Sequence, residues 1–309
     1  MRRPGWSPMT AAARCCRAIP PGLLALLACG CASRYLVTVE DVVCPVHDKA
    51  RLVGKLEYRG LVIFNPGIED RDLAFLVDGR PVGQDETNDE GYARVKHRCV
   101  GPGEVPLEVR YRDRRGRSHS ARATVFAWPE DDPVLVVDID HTVAEPRTRS
   151  LLGPGPDRSE PLPGAAALLS DLARHFHVVY LTARPREMSV KTRRWLAEHA
   201  FPRGPLLTWD VDRYEWSATD FKKDRLDDLT DRFDQVTIGI GNRGGDHEAY
   251  RKRKLLTVLV DPDAGPRGRI IERGVILPDW AAVRRLFAAN PHLYDPDLSH
   301  KTRLRLPGP

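Results

Sequence analysis

VLVVDIDHTV, at residues 134–143, is the stretch of this 309-residue chain that decides its fold. Its first four residues are apolar and largely β-branched, which predicts a strand buried on both faces in a parallel sheet. Asp138 and Asp140 follow where the strand ends. Because side chains alternate along a strand, both can face one site while Ile139 points into the core. Ligands of open α/β sheets bind outside the carboxyl ends of the strands, so we expect the chemistry here.

The spacing of the two aspartates indicates what that chemistry requires. Two carboxylates this close repel each other unless a cation or a bound proton offsets the repulsion. One of them can serve as nucleophile and metal ligand while the other carries a proton. The alternative is a pair of strand-end aspartates that only caps a turn, and it would be favoured if the pair stood alone.

Strand-like and helix-like segments alternate from Pro133 onward, which predicts a parallel sheet with right-handed crossovers. About twenty residues separate VLVVDIDHTV from the first predicted helix, too few for a large inserted domain that would cover the strand ends, so we expect an open site. The further strands are predicted at 177–182, 205–209, the start of 236–250, and 256–260. The helices are predicted at 165–176, 188–199, 220–233 and 279–290.

The order of these motifs resembles that of the haloacid dehalogenase superfamily. A strand followed by D-x-D-x-T comes first, then a strand that ends in Thr182, a lysine-bearing helix at 220–233, and a glycine-rich turn with an acid at 236–250. The continuation Thr-Ala-Arg and the G-N-R-x-x-D spacing are similar to lipin-like and actin-patch-associated phosphatidate phosphatases. The resemblance covers residues 133–290 and implies a Rossmann-like domain without a large cap that hydrolyses phosphomonoesters.

The resemblance implies catalytic and metal-binding roles for the acidic positions. Asp138 would form an aspartyl-phosphate, and Asp140 would act as general acid and base. Mg²⁺, which prefers hard oxygen ligands, would be held by Asp138, Asp140 and Asp246. His141 occupies a position where the resembled family has a small or acidic residue, and it receives no role.

Five further positions are assigned to phosphate binding or support. The resemblance places the phosphate against Thr182 and against a lysine of the helix at 220–233, for which Lys222 is selected below. Arg184 is assigned to phosphate binding as well. Thr142 and Asn242 would support the loops or donate an oxygen.

Lys222 and Lys223 compete for the position of the family lysine. Leu226, Leu229 and Phe233 define the buried face of the predicted helix. At about 100° per residue, Lys222 falls within roughly 40° of that face, whereas Lys223 is rotated about 100° away from it. We therefore predict that Lys222 points into the site.

Residues 1–33 have the pattern of an export signal. A basic start precedes the short apolar run GLLALLACGCAS, which is too short to cross a bilayer comfortably. The run resembles a bacterial lipoprotein signal in which Cys29 or Cys31 would be lipidated. An ordinary cleaved signal is the alternative, and a cytosolic location is less favoured. We expect an exported, membrane-anchored protein, periplasmic or at the cell surface.

Residues 34–128 predict an all-β module because short alternating runs are separated by turn signals, and we expect an immunoglobulin-like sandwich. Cys44 and Cys99 both lie in it, as one disulfide in an oxidising compartment requires; two free thiols are the alternative. An arginine-rich hairpin tip could touch anionic head groups, although such tips are usually only solvated. Its arginines are Arg112, Arg114, Arg115 and Arg117.

Composition fits a globular protein with two folded domains, at 34–128 and 129–290, followed by an extended tail at 291–309. The chain is 41% apolar and 29% charged, and its net charge of +5 permits but does not demonstrate attraction to anionic surfaces. We expect a phospholipid or another phosphomonoester as the substrate and no nucleic-acid partner. Phosphatidate is the favoured substrate. The alternatives are soluble phosphomonoesters and a non-catalytic phosphatidate-binding module.

Overall fold

The computed structural model describes residues 34–60, 65–153, 155–210, 217–295 and 304–306. The predicted signal at 1–33 and most of the predicted tail lie outside the described residues. No helix in the described ranges is both long and apolar enough to cross a membrane.

The N-terminal module consists of two β-sheets that pack against each other. Buried side chains of both sheets, among them Leu52, Phe75 and Val109, form one apolar cluster between them. The strand order is β1-β3-β6 in one sheet and β2-β8-β7-β4-β5 in the other. The strands are β1 (Tyr35–Val39), β2 (Val42–Pro45), β3 (Lys49–Tyr58), β4 (Asp72–Val77), β5 (Arg80–Glu86), β6 (Tyr92–Arg98), β7 (Gly103–Arg112) and β8 (Ser118–Trp128).

A disulfide joins Cys44 in β2 to Cys99, which follows β6, so it links the two sheets. The predicted pairing is therefore confirmed. The two-sheet arrangement is what a sandwich requires, while its immunoglobulin-like type stays a prediction.

The second part of the chain is built on a seven-stranded sheet with the order β13-β12-β9-β14-β15-β17-β16. Six strands are parallel and β16 runs antiparallel to β17, so the predicted parallel α/β architecture is confirmed. The strands are β9 (Val134–Val137), β12 (His177–Pro185), β13 (Leu206–Trp209), β14 (Val236–Gly241), β15 (Leu256–Val260), β16 (Arg269–Ile271) and β17 (Gly274–Leu277).

Helices cover this sheet and connect its strands. The longer ones have buried apolar faces, such as Leu226 and Leu229 on the helix that carries Lys222. The helices are α1 (Thr148–Leu152), α2 (Ala165–Leu172), α3 (Ser189–Glu198), α4 (Ala218–Thr230), α5 (Gly244–Lys252) and α6 (Trp280–Ala289). Helix α2 ends four residues before the predicted end because the chain turns at Leu172 to enter β12 at His177.

The described residues between β9 and α2 form only a two-stranded ribbon and the one-turn helix α1. The ribbon pairs β10 (Ala144–Glu145) with β11 (Glu160–Pro161). This part of the chain therefore adds no large cap over the carboxyl ends of the strands.

The β module is bonded to the outer edge of strand β13. Leu206 N donates to Asp41 Oδ2 at 2.9 Å, and Thr208 N donates to Glu40 Oε1 at 2.8 Å. These carboxylates satisfy backbone groups that an edge strand would otherwise leave open for pairing with another chain. We refer to the residues that join the two parts here, which are Glu40, Asp41, Tyr92, Arg186 and Asp210, as the seam.

Candidate active site

A buried lysine lies between two carboxylates where the central strands of the sheet end. Lys222 on α4 donates from Nζ to Asp138 Oδ1 at 2.7 Å and to Asp246 Oδ1 at 2.5 Å. Asp138 follows β9, and Asp246 lies in the first turn of α5, directly after β14. All three side chains are buried. The fold therefore brings together three residues that are distant in sequence, at the position where α/β proteins bind ligands.

Lys223 points away from this cluster. It pairs with Glu248 at 2.7 Å near the surface of the protein. The helix-face argument thus predicted the placement of both lysines correctly, whereas their roles in chemistry stay predictions.

Local backbone geometry holds Asp246 in place. Its Oδ2 accepts hydrogen bonds from the backbone N–H groups of Asn242 and Arg243, each at 3.1 Å. Position 241 must be glycine for this approach, since a Cβ there would lie 2.6 Å from the Cβ of Asp246. An acid at a helix N-terminus is also stabilised by the helix dipole.

Burial and charge set the proton affinities of the cluster. Burial raises the pKa of Asp138 to about 6, and Asp246 adds to the increase, although the Lys222 ammonium opposes it. Burial alone would lower the pKa of Lys222, but the two carboxylates outweigh burial and raise it. Lys222 therefore stays a cation at neutral pH, and Asp138 is a more basic carboxylate than a solvated aspartate.

Asp140, the second aspartate of the first motif, is held by an arginine. Arg184 donates from Nε and Nη2 to Asp140, with distances of 2.8–3.1 Å. Its Nη1 donates to Asp157 at 2.8 Å, and its guanidinium lies 5.9 Å from the ring centre of Trp195. Arg184 thus orients Asp140 in this structure, and the predicted direct contact of Arg184 with phosphate stays a prediction.

Asp157 was missed by the sequence reasoning. It lies in the segment between α1 and β11, where no local pattern marks it. Burial alone would raise its pKa, but hydrogen bonds from Ser159 and the charge of Arg184 lower it. The buried carboxylate is therefore an ionised anchor for Arg184.

Two threonines complete the neighbourhood. Thr142 donates from Oγ1 to Asp138 Oδ2 at 3.1 Å, so it orients the candidate nucleophile. Thr182 is fully buried, and its Oγ1 accepts from Arg184 N at 3.2 Å. Strand β12 pairs with β9 up to Tyr180 and Val137, which brings Thr182 level with the first-motif loop.

Asn242 has an unsatisfied oxygen. Its Oδ1 is buried and has no hydrogen-bond partner among the described residues. A buried polar atom without a partner is costly unless something that binds there satisfies it, so this oxygen fits a cation ligand.

The predicted Mg²⁺ ligands are of the right type but are occupied by cations of the protein itself. Lys222 bridges Asp138 and Asp246, while Arg184 covers Asp140. Within the described ranges no three Asp, Glu, His or Cys side chains form a metal-binding group. The oxygen donors of these three carboxylates and of Asn242 suit Mg²⁺ chemically. Because the carboxylates are paired with Lys222 and Arg184 in this structure, the Mg²⁺ ligand set stays a prediction.

Comparison with known proteins identifies the family. The model of LNS2 (Lipin/Ned1/Smp2) matches residues 95–260, more than half of the chain and all eight candidate site residues. The match begins inside β6 and ends with β15, so it includes strands of the β module. No curated protein matches the chain.

Solved structures give only partial likenesses. A chain of the Pnkp1/Rnl/Hen1 RNA repair complex is 20% identical, with a TM-score of 0.37, and the match covers 42% of this chain and 42% of that chain. The tandem Ig repeats of Dlar are 15% identical, with a TM-score of 0.24, over 36% of this chain and 61% of that one. Fibronectin(III)-like modules of Clostridium thermocellum CbhA are 16% identical, with a TM-score of 0.23, over 31% and 47%.

These structural likenesses are too weak to carry an argument, and the family match stands without them. It confirms the resemblance seen in the motifs and indicates a phosphatase. The chain belongs to the LNS2 (Lipin/Ned1/Smp2) family, whose domain is a phosphatidate phosphatase domain of the haloacid dehalogenase type.

Proposed function

We propose that the protein is a Mg²⁺-dependent phosphatidate phosphatase that works through an aspartyl-phosphate on Asp138. The observation that carries this proposal is the Lys222 ammonium between Asp138 and Asp246, at the ends of the central strands. A phosphate that enters here meets a nucleophile, a cation and the hydroxyl of Thr182. These are the groups that phosphoryl transfer requires, because its catalysis is mainly positioning and charge stabilisation.

Asp138, Asp140 and Asp246 would hold Mg²⁺, with the unpartnered Oδ1 of Asn242 as a further oxygen donor. When bound, the ion would supply positive charge that neutralises the phosphate oxygens. Lys222 supplies charge of the same sign from the protein itself, and its raised pKa keeps it protonated.

The protein side chains carry out two displacement steps. In the first, an oxygen of Asp138 attacks phosphorus and the bond from phosphorus to the alcohol oxygen breaks. Asp140, which enters this step protonated, gives its proton to the leaving alcohol. In the second, water attacks phosphorus and loses its proton to Asp140. The bond from phosphorus to Asp138 then breaks, and phosphate leaves.

The contacts of the resting site suit these steps. Thr142 orients the attacking carboxylate, and Arg184 fixes the direction in which Asp140 points. The hydroxyl of Thr182 would donate to a phosphate oxygen. Asp140 is the least buried of the three acids, with 29% of its side chain exposed, so it can reach both the leaving alcohol and water.

An assay with two substrates tests the proposal. The purified protein should hydrolyse phosphatidate in mixed micelles and, more slowly, p-nitrophenyl phosphate, both only with Mg²⁺. Asp138→Asn and Asp140→Asn should each lose activity by about three orders of magnitude or more. Lys223→Ala is the control on the same helix as Lys222 and should stay within a few-fold of the wild type.

The same assay separates the alternative functions. A phosphatase of soluble phosphomonoesters would prefer a nucleotide or sugar phosphate to phosphatidate. A non-catalytic module would bind phosphatidate without turnover. The presence of both aspartates together with Lys222 favours an enzyme.

We further propose that the protein is exported and acts at a membrane surface. The signal-like residues 1–33 and the disulfide support export. At the hairpin tip, Arg112, Arg114 and Arg115 are exposed, although Arg117 pairs with Asp113 at 2.8 Å. The basic run RKRK at 251–254 is a second candidate for attraction to anionic lipid, but it is partly engaged in local ion pairs, including those of Arg253 with Asp227 and of Arg251 with Glu272.

Two measurements test the location. Mass spectrometry of the protein from its host should find the linked Cys44 and Cys99 peptides and should show that the signal sequence has been removed. An unprocessed chain in which both thiols are free would place the protein in the cytosol. Vesicles that contain phosphatidate should bind the protein better than neutral vesicles, with binding that weakens as salt rises. Equal binding to both would remove the electrostatic part of the proposal.

A further inference from the structure

A cavity of about 650 Å³ opens beside the first-motif loop. Its volume is within the range of small-molecule sites, which are mostly apolar with a few polar groups at fixed positions. Most of its wall is apolar. The apolar lining residues include Leu162, Pro163, Val260, Pro262, Pro278 and Trp280.

The wall of the cavity is bonded directly to the loop that bears the nucleophile. Trp280 Nε1 donates to the backbone oxygen of Thr142 at 2.7 Å, and Thr142 in turn bonds Asp138. Asn242, whose backbone N–H holds Asp246, lines the cavity as well. The cavity is therefore linked to the reacting groups through Thr142 and Asn242, on the side of β14 and β15.

His141 lies at the border between the cavity and the reacting groups. It follows Asp140 directly, lines the cavity, and has a backbone φ of 61°, in the left-handed region. Its backbone N–H donates to Ala144 O at 2.7 Å, which fixes the turn. Its ring is 41% exposed, and Nδ1 lies 3.6 Å from Glu145 Oε1. Histidine is one of the residues that adopt this conformation more readily than most, so the turn holds the ring of His141 at the mouth of the cavity.

The charges around the cavity disfavour a second anionic group. Three carboxylates line it, those of Glu145, Asp261 and Asp279, against the single guanidinium of Arg243. The proposed function places the phosphate at Lys222 instead. A neutral, largely apolar group fits the cavity better than a nucleotide or a sugar phosphate.

We propose that this cavity receives the alcohol part of the substrate, an acylglycerol, and that His141 is a specificity-determining residue that contacts the oxygens of that alcohol. The proposal rests on the proposed phosphatase function and names the part of the molecule that selects its substrate. The phosphate lies at Lys222, the scissile oxygen lies next to Asp140, and the glycerol with the first part of its acyl chains extends past His141 toward Trp280.

Filling the cavity is the sharpest test. Ala281 lines the cavity from an exposed position at the start of α6, and Ala288 is exposed near the end of the same helix, outside the cavity. Ala281→Phe should lower kcat/KM for dioctanoyl phosphatidate, relative to that for p-nitrophenyl phosphate, by about tenfold or more, mainly through KM. Ala288→Phe, the matched control, should leave the ratio unchanged.

His141 variants test the polar contact. His141→Gly removes the ring and relieves the left-handed backbone, so it should fold well and lower the same ratio. His141→Asn also tolerates that backbone and keeps a hydrogen-bonding group, so it should retain more of the ratio. A ratio that is unaffected by Ala281→Phe and by His141→Gly, while p-nitrophenyl phosphate is still hydrolysed, would overturn the cavity assignment and leave the phosphatase standing.

Binding of the product alcohol is measured separately from catalysis. Dioctanoylglycerol should change the tryptophan fluorescence of the wild type, through Trp280, and glycerol should not. Ala281→Phe should weaken this binding by about tenfold or more, in line with the loss of several buried methylenes. If the wild type hydrolyses neither substrate, the proposed function fails. If dioctanoylglycerol then still binds and Ala281→Phe weakens that binding, the assignment of the cavity is supported. If dioctanoylglycerol does not bind, the assignment is overturned.

Discussion

The Lys222 cluster and the seam differ in where they lie on the seven-stranded sheet. Lys222 bridges Asp138 and Asp246 beside the central strands β9 and β14. In the seam, Arg186 donates to Asp210 at 3.0 Å, and Tyr92 of the β module donates to the same carboxylate at 2.6 Å. Asp210 follows the edge strand β13, where the β module covers the sheet.

Buried charge alone does not distinguish a site from a structural joint. The central cation is buried in both clusters. Arg186 and Asp210 of the seam line a cavity of about 740 Å³, whereas the cavity of about 650 Å³ near the Lys222 cluster is lined by Asn242, whose backbone N–H donates to Asp246. In the seam, burial alone would raise the pKa of Asp210, but Arg186 outweighs it and lowers the pKa. Asp138 has a raised pKa instead, as suits a nucleophile. The candidate site is thus distinguished from the seam by its place at the ends of the central strands.

The largest expected effect is a loss of kcat/KM when Lys222, the central cation of its cluster, is removed. Lys222→Ala should lower kcat/KM by about a hundredfold to a thousandfold, because a charge aimed at the phosphate is lost. Lys223→Ala, one residue away on the exposed side, should change it by no more than a few-fold. Steady-state kinetics with phosphatidate measures both, and the reverse ranking would contradict the placement of Lys222 as the phosphate ligand.

Removing the central cation of the seam should affect stability instead. Arg186→Leu leaves Asp210 buried without its charge partner and should lower the free energy of unfolding by about 3–5 kcal/mol. Denaturant unfolding measures this loss, while kcat/KM of the folded variant should fall far less than in Lys222→Ala. Arg194→Leu is the control, since Arg194 forms an exposed pair with Glu198 that contributes about 0.3–0.5 kcal/mol. A stable Arg186→Leu protein without activity would reverse the comparison.

The smallest effect is a pH dependence beside the seam. Burial raises the pKa of Glu187 to about 7, and the nearby Glu57 adds to the increase. One oxygen of Glu187, Oε2, is buried and has no partner among the described residues. A raised folded-state pKa means that the protonated form is favoured by folding. The contribution of protonated Glu187 to the free energy of unfolding is fully present below about pH 4.5 and is lost as pH rises through about 7.

Glu187→Gln should therefore gain stability relative to the wild type as pH increases. The difference in Tm between variant and wild type should be small at pH 5 and a few degrees in favour of the variant at pH 8. Glu198→Gln on the exposed face of α3 is the control. A difference that shrinks with increasing pH would contradict the assigned direction of the shift.

Local sequence patterns predicted the central part of the site. A buried strand followed by D-x-D located Asp138 and Asp140, and helical periodicity separated Lys222 from Lys223. Both patterns depend on a single element, so they can be read from a short stretch of sequence.

The seam and the anchor of Arg184 could not be predicted in this way. Tyr92 and Asp210 are 118 residues apart, and Glu40 caps the edge strand at Thr208 across 168 residues. Asp157 reaches Arg184 from an irregular segment. Such contacts depend on how two separately patterned parts pack together, and no local period marks the residues that form them.

Direct detection of the covalent intermediate tests the central claim, that Asp138 is the nucleophile of a phosphatase. The protein is incubated with radiolabelled phosphatidate and Mg²⁺, quenched in acid and digested. Asp140→Asn should accumulate label on the peptide that contains Asp138, because release of the phosphoryl group needs a base. Asp138→Asn should carry no label and should turn over at least a thousandfold more slowly than the wild type. Near-wild-type turnover by Asp138→Asn, or label on a different residue, would contradict the account.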